Sequence, residues 1–194
     1  MLAQLQRSEK FVSVTLTDKY PNVQAFEKIK ARSGGKIQYI AEEVNATNVP
    51  AHLKGVRTVF SGFHHFEPDE ARKILQNTVS SRSAIGVFDY TEKSLDKIAC
   101  AFFLPLFVFL TTAFIKPLTL KRIFWVNIIP IIPLLLTYDA VISSLTTYSV
   151  KELKELVKGI DSEGYVWEIG QVPSNLRSVR VTYLIGFPKD LQYA

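Results

Sequence analysis

Residues 56–75 read "VRTVFSGFHHFEPDEARKIL", and the order of residue types within them sets the fold. The opening run, Val56 to Phe63, is rich in β-branched and aromatic residues, the composition of a strand. The second half opens on Pro68, Asp69 and Glu70, a proline and two acids of the kind a helix accepts in its first turn. Ala71, Ile74, Leu75 and Val79 then fall on one helical face. His64 and His65 stand at the junction, at the carboxyl end of a strand, the rim where open parallel sheets bind ligands. Two adjacent histidines on an extended chain point to opposite faces, so no metal site is expected of the pair. An imidazole that titrates near neutrality suits general-base or substrate-positioning work instead.

The same grammar extends outward. "FVSVTL", from Phe11 to Leu16, alternates apolar and hydroxyl residues and stops at Thr17 and Asp18, a strand tipped by an acid. "PNVQAFEKIKARSGG" carries Val23, Phe26, Ile29 and Lys30 at helical spacing before a Gly34–Gly35 stop. "KIQYIAEEV" predicts a second strand, "NATNVPAHLKG" a connection with a short helical turn, and "SAIGVFDYT" a buried strand. Near the end, "SVKELKELVKG" predicts a helix with a capping box between Ser149 and Glu152, a buried face of Leu153, Leu156 and Val157, and Gly159 as its stop. "YVWEIGQV" and "VRVTYLIGF" close the chain as two strands with a hairpin-like connection. Strands alternating with helices predict an α/β fold with a largely parallel, doubly wound sheet.

Composition narrows the function classes. Of 194 residues, 47% are hydrophobic and 21% charged, which argues against disorder. The net charge of +5 is scattered among 18 acids rather than gathered in a stripe, so nucleic acid is not an expected partner. A single cysteine, Cys100, excludes an internal disulfide and a paired-cysteine metal site, and fits a reducing compartment. The polar start "MLAQLQRSEKF" has no apolar core, so no secretory signal is expected and the chain is expected to begin in the cytoplasm. Residues 98–115 and 123–138 hold no charge and flank the basic connector "KPLTLKR". This divides the chain into an α/β part at 1–97, an apolar helical insert at 98–138, and a closing helix and strand pair at 139–194. A spanning helix needs ~20 apolar residues for a ~30 Å core; both stretches fall short, and Pro105, Pro130 and Pro133 interrupt them. Spanning would also place Lys116, Lys121 and Arg122 outside the cytoplasm, against the positive-inside preference. The expectation is a hairpin that lies in the membrane interface or dips into one leaflet, its connector near anionic headgroups. The alternative is an apolar lid over a substrate pocket.

The succession of acid-tipped strand, helix, "VNATNVP", strand with "FHHF", helix, apolar strand, and final helix with an antiparallel strand pair resembles the class I S-adenosylmethionine (SAM)-dependent methyltransferases. The phrases "RTVFSGFHHFEPDEARKIL", "YDAVISSLTTYSVKELKELV" and "YLIG" resemble a bacterial subgroup with an apolar insert. The resemblance implies a Rossmann-like, doubly wound sheet with an inserted apolar hairpin, SAM as cofactor, and methyl transfer to a small or lipid-like acceptor at a membrane surface. It also implies a first strand ending in a Gly-rich E-x-G-x-G loop. No such turn occurs in the first 30 residues, so the chain is expected to be the later part of a split, truncated or mis-started gene, or to have lost the cofactor site. Either way neighbouring strands are left with unpaired edges.

Residue by residue, the resemblance implies that Asp18 accepts from the ribose hydroxyls, against the simpler reading of an Asx-type turn before Pro21. Asn45 stands where the family usually has Asp and keeps an acceptor for the adenine amino group, with Ala46 as a backbone or packing contact. His64 and His65 are the catalytic candidates. Glu92 and Asp89 share their rim, either orienting a substrate or serving as solvated loop acids, and Tyr138, Asp139 and Tyr148 face the acceptor. Two rival functions remain: a non-catalytic membrane-associated protein that kept the sheet and lost the cofactor loop, and a nicotinamide-dependent reductase, which lacks the same Gly-rich turn.

Overall fold

β1 (Val14–Leu16), α1 (Val23–Arg32) and β2 (Ile37–Tyr39) form a strand–helix–strand unit whose strands pair in parallel, Val14 opposite Ile37 and Leu16 opposite Tyr39. The computed structural model describes residues 13–91, 93–174 and 180–191, and the chain divides into two units, Met1–Lys54 and Gly55–Ala194. In the first unit Asn22 caps α1, its side chain accepting from the Ala25 amide at 3.1 Å. Gly34 and Gly35, at φ +62° and +79°, carry the chain out of the helix through backbone that other residues rarely adopt. The strand expected over 36–44 is pared to three residues, because the Val44 amide turns instead to the Asp18 carbonyl at 2.9 Å. Among the described residues of this unit Val44 alone is buried, so the unit has almost no core of its own.

The second unit starts with β3 (Arg57–Phe60), α2 (Pro68–Ser80) and β4 (Ile85–Asp89). Four helices follow, α3 (Leu95–Ala101), α4 (Leu104–Thr111), α5 (Leu120–Ile123) and α6 (Ile131–Thr146), with a π-helical turn over Phe124–Ile128. α7 (Val150–Lys158), β5 (Tyr165–Pro173) and β6 (Arg180–Pro188) complete it. The sheet order is β3-β4-β6-β5. Only β3 and β4 pair in parallel; β6 is antiparallel to both β4 and β5. The expectation of a largely parallel sheet is corrected here, because strands joined by a short connection pair antiparallel and their hairpin supplies half of the sheet. Within the described residues β1 and β3 each pair along one edge only.

α2 buries Ala71, Ile74, Leu75 and Thr78, while Val79, expected on that face, is only half-buried. Thr78 is admitted because its hydroxyl is satisfied: it donates to the Ile74 carbonyl at 2.8 Å and accepts from the Arg57 guanidinium at 3.3 Å. Leu75, Ile85, Val87, Leu153, Leu156 and Leu184 make up much of the core between helices and sheet.

α7 has the capping box its sequence predicts. Ser149 Oγ accepts from the Glu152 amide at 3.2 Å, and Glu152 Oε2 accepts from the Ser149 amide at 2.8 Å. Lys93 donates to the other oxygen at 2.8 Å. This bond above all, with those from Ser149, lowers the Glu152 carboxyl from 4.5 to about 2. A carboxyl lowered in the folded state contributes stability that is complete above its ordinary value and is lost as pH falls toward the folded one. Urea midpoints of the native chain are therefore expected to drop between pH 4.5 and about 2, and Glu152→Gln is expected to flatten that part of the curve.

In the apolar segment, Pro105 and Pro133 sit in the first turns of α4 and α6, where no intrahelical amide is needed, and Pro130 immediately precedes α6. The prolines thus begin helices rather than interrupt them. α6 runs through residue 138 without a break, so the insert has no backbone boundary at that point. No single described helix is long and apolar enough to cross a membrane; Leu120–Ile128 and Ile131–Thr146 pass only as a pair bent by 63°.

Candidate functional site

Ser61, at φ +50°, turns the chain out of β3 into a 3-10 turn over Phe63–His65. The two histidines therefore do not sit on extended backbone, and the expectation of rings on opposite faces fails. Successive residues of a 3-10 turn are ~120° apart, and the ring centroids lie 4.2 Å from each other. Their environments still differ: His64 is 6% exposed, whereas His65 is exposed.

His64 Nδ1 lies 2.6 Å from Asp89 Oδ2. Asp89 ends β4 and is itself 6% exposed, which corrects its reading as a solvated loop acid. Its second oxygen accepts from Thr91 Oγ1 at 2.7 Å, so both oxygens of the buried carboxyl are satisfied. Thr91 Oγ1 meets Thr147 Oγ1 at 2.5 Å, and Thr147 Oγ1 also reaches the Ser143 carbonyl at 2.5 Å. An Asp89 carboxylate accepts at Nδ1 and places the ring proton there. Nε2 then has no partner among the described residues.

Tyr148 is positioned beside this pair. Its hydroxyl donates to the Phe66 carbonyl at 2.7 Å, and its ring lies 5.7 Å from that of Phe63. Burial first, and then the charges of Glu152, Glu67 and Glu70, hold the phenol above its ordinary value, so it acts as a donor. Tyr148 also lines a polar cleft of about 240 Å³ with Lys93, Thr147, Ser149, Arg180 and Thr182. Thr182 faces Asp89 across the β4–β6 ladder, and Thr147 reaches Asp89 through Thr91, so cleft and dyad share a wall. Tyr138 is 67% exposed and Asp139 is exposed. Both belong to α6 upstream of Thr147, Tyr138 about 13 Å along the axis, and neither lines the cleft. Glu92 lies outside the described residues.

The first unit brings the adenosine candidates together. The Val44–Asp18 backbone bond holds the loop after β2 against the end of β1. Asp18 is exposed; its Oδ1 accepts from the Tyr20 amide at 2.7 Å, the Asx-type turn, while Oδ2 has no partner among the described residues. A carboxylate with a free oxygen on an open rim fits a ribose diol. Asn45 fits less directly: its Oδ1 already accepts from the Thr47 amide at 3.0 Å and the Thr47 hydroxyl at 2.8 Å. Both lone pairs are used, and what it offers adenine is its Nδ2 donor, toward a ring nitrogen rather than the amino group. Ala46 opens the 3-10 turn over Ala46–Asn48 and adds only a methyl group there. Asp18 and Asn45 thus offer polar groups suited to an adenosine, and the described residues after β1 hold no Gly-rich turn before Gly34.

Sequence reasoning missed the partnership of Asp89 with His64 and the roles of Thr91 and Thr147. One signal was available for Asp89. It keeps the two-residue parity of Ile85 and Val87, both buried, so the β4 pattern points it inward. No spacing rule announces that Thr147 meets Thr91.

No protein-family model matches the chain, and no curated protein is similar enough to match. Similar solved structures include LepI in complex with SAM, with a TM-score of 0.50 and 15% identity over 96% of this chain and 39% of that one. A pericyclic reaction enzyme aligns with a TM-score of 0.48 and 16% identity over 95% and 40% of the two chains. A LepI variant in complex with S-adenosylhomocysteine (SAH) and a substrate analogue gives 0.47 and 17% over 95% and 40%. The chain thus spans about two-fifths of the length of these structures, and at such identity the likeness to SAM-complexed LepI concerns the fold: a mixed α/β architecture common to both.

Proposed function

We propose that the chain is all or part of a SAM-dependent methyltransferase that acts on a small or lipid-like acceptor, with His64 as general base and Asp89 as its positioning residue. The observation that carries the reading is the buried 2.6 Å His64–Asp89 bond at the carboxyl ends of the parallel strands β3 and β4. Two strand–helix–strand units with parallel pairing support a Rossmann-like, doubly wound fold, and the fold likeness to a SAM-complexed enzyme supports the cofactor.

SAM, when bound, supplies a methyl group already activated by its sulfonium. The protein's share is positioning and proton transfer. When SAM is bound, Asp18 Oδ2 would hold the ribose hydroxyls and Asn45 Nδ2 would meet the adenine ring. His64 Nε2 takes the proton from an acceptor hydroxyl or amine, and the resulting imidazolium is stabilised by Asp89, which Thr91 keeps in orientation. A His64 side chain only 4% exposed keeps bulk water from competing for that proton.

A non-catalytic chain of the same fold is the second reading, favoured by the prior engagement of Asn45 Oδ1 with Thr47. Calorimetric titration with SAH separates the two. Under the enzymatic reading SAH binds, and Asp18→Ala weakens it about 10- to 100-fold, the loss of one or two hydrogen bonds to a charged acceptor. No heat at millimolar SAH sinks the methyltransferase reading.

A further inference from the structure

We infer that α4, α6 and the basic connector between them form a docking surface for an anionic lipid bilayer, lying in its interface rather than across it. The observations are independent of the chemistry at His64. α4 packs against α6, yet Leu106, Phe107, Leu110, Phe114, Leu134 and Leu135 remain 58–84% exposed. A monomer in water rarely leaves so much contiguous apolar surface uncovered unless something binds there.

Charge identifies the occupant. From Ile98 to Tyr138 the only charged residues are Lys116, Lys121 and Arg122, and the rest of α6 adds one exposed acid, Asp139, so residues 98–146 hold three cations against one anion. Lys116 and Lys121 are exposed and have no ion-pair partner among the described residues; Arg122 donates to the Ile115 carbonyl at 2.7 Å, which fastens the connector to the end of the α4 segment. A second copy of this surface would bury cations against cations, whereas phosphate headgroups supply the missing anions. The exposed residues also sweep about 160° around α4 and about 200° around α6 at ~100° per residue. A rigid partner covers a narrower stripe, but acyl chains conform to such a width. With no described helix long enough to span and a 63° bend between Leu120–Ile128 and Ile131–Thr146, the segment suits shallow insertion.

The test is flotation of the full chain with vesicles of phosphatidylcholine alone or mixed with phosphatidylglycerol. The native chain is expected to float with the anionic vesicles and far less with the zwitterionic ones. K116Q/K121Q is expected to weaken partition about 25-fold, about five-fold per cation removed, while F107S/L110S lowers binding to both. With Trp167→Phe leaving Trp125 as the only indole, bromine-labelled acyl chains are expected to quench its fluorescence. Failure to float with either vesicle overturns the inference, as does unchanged partition of K116Q/K121Q. Flotation lost in favour of a discrete oligomer by light scattering assigns the surface to a second copy and overturns it too. Circular dichroism confirms that each variant is folded.

Discussion

Asp89→Ala is expected to lower the unfolding free energy by about 3–5 kcal/mol, the range for breaking a buried hydrogen-bonded pair from one side. The carboxyl of Asp89 accepts from two side chains, His64 at 2.6 Å and Thr91 at 2.7 Å. Truncation leaves both donors unpaired in a region closed to water, and that unmet desolvation makes the loss large. Asp89→Asn keeps the volume and one acceptor, so a smaller loss is expected. The two variants also test the positioning role. In ¹⁵N spectra of the native protein the His64 proton is expected on Nδ1; either variant is expected to move it, while SAH affinity stays unchanged because Asp18 and Asn45 are intact. A loss below 1 kcal/mol for Asp89→Ala would mean that water reaches the pair and that the dyad does not form in solution.

Phe63→Ala is expected to cost a similar amount, about 3–5 kcal/mol. Phe63 is 1% exposed, and its ring lies 6.2 Å from Phe66 and 5.7 Å from Tyr148. It anchors the 3-10 turn that presents His64, so a cavity there loosens the turn as well as the core. Phe63→Leu refills most of the space and is expected to cost less than about 1.5 kcal/mol. Urea midpoints measure the difference. Hydrogen exchange at the His65 and Phe66 amides, bonded to the Gly62 and Phe63 carbonyls, reports the turn directly. Equal stability of the two variants would show that packing at Phe63 does not hold the turn.

What the sequence made legible was local. The Ser149–Glu152 box, the inward stripe of α2 and the closing hairpin each follow from a periodicity or a side chain that bonds its own backbone, and each is present. What it hid was tertiary. Thr78 replaces Val79 on the α2 face because Arg57, far away in sequence, offers it a donor. β2 stops at Tyr39 because the Val44 amide finds Asp18 rather than a ladder partner. The histidine pair was legible as a rim feature, yet its division into one buried and one exposed ring depends on a 3-10 turn that propensity does not announce. Asp89 was in plain view by parity; only the partner across the sheet rim was not.

α6 is a single helix of 16 residues, about 24 Å from end to end. It begins among exposed apolar side chains, packs against the turn that carries His64, and runs directly into Thr147, whose hydroxyl meets Thr91. A helix does not flex locally without giving up backbone hydrogen bonds, so it behaves as a stiff rod with a greasy handle and a polar tip. One rigid element thus carries both the exposed apolar side chains and, through Thr147 and Thr91, a hydrogen-bonded path to the Asp89 carboxylate.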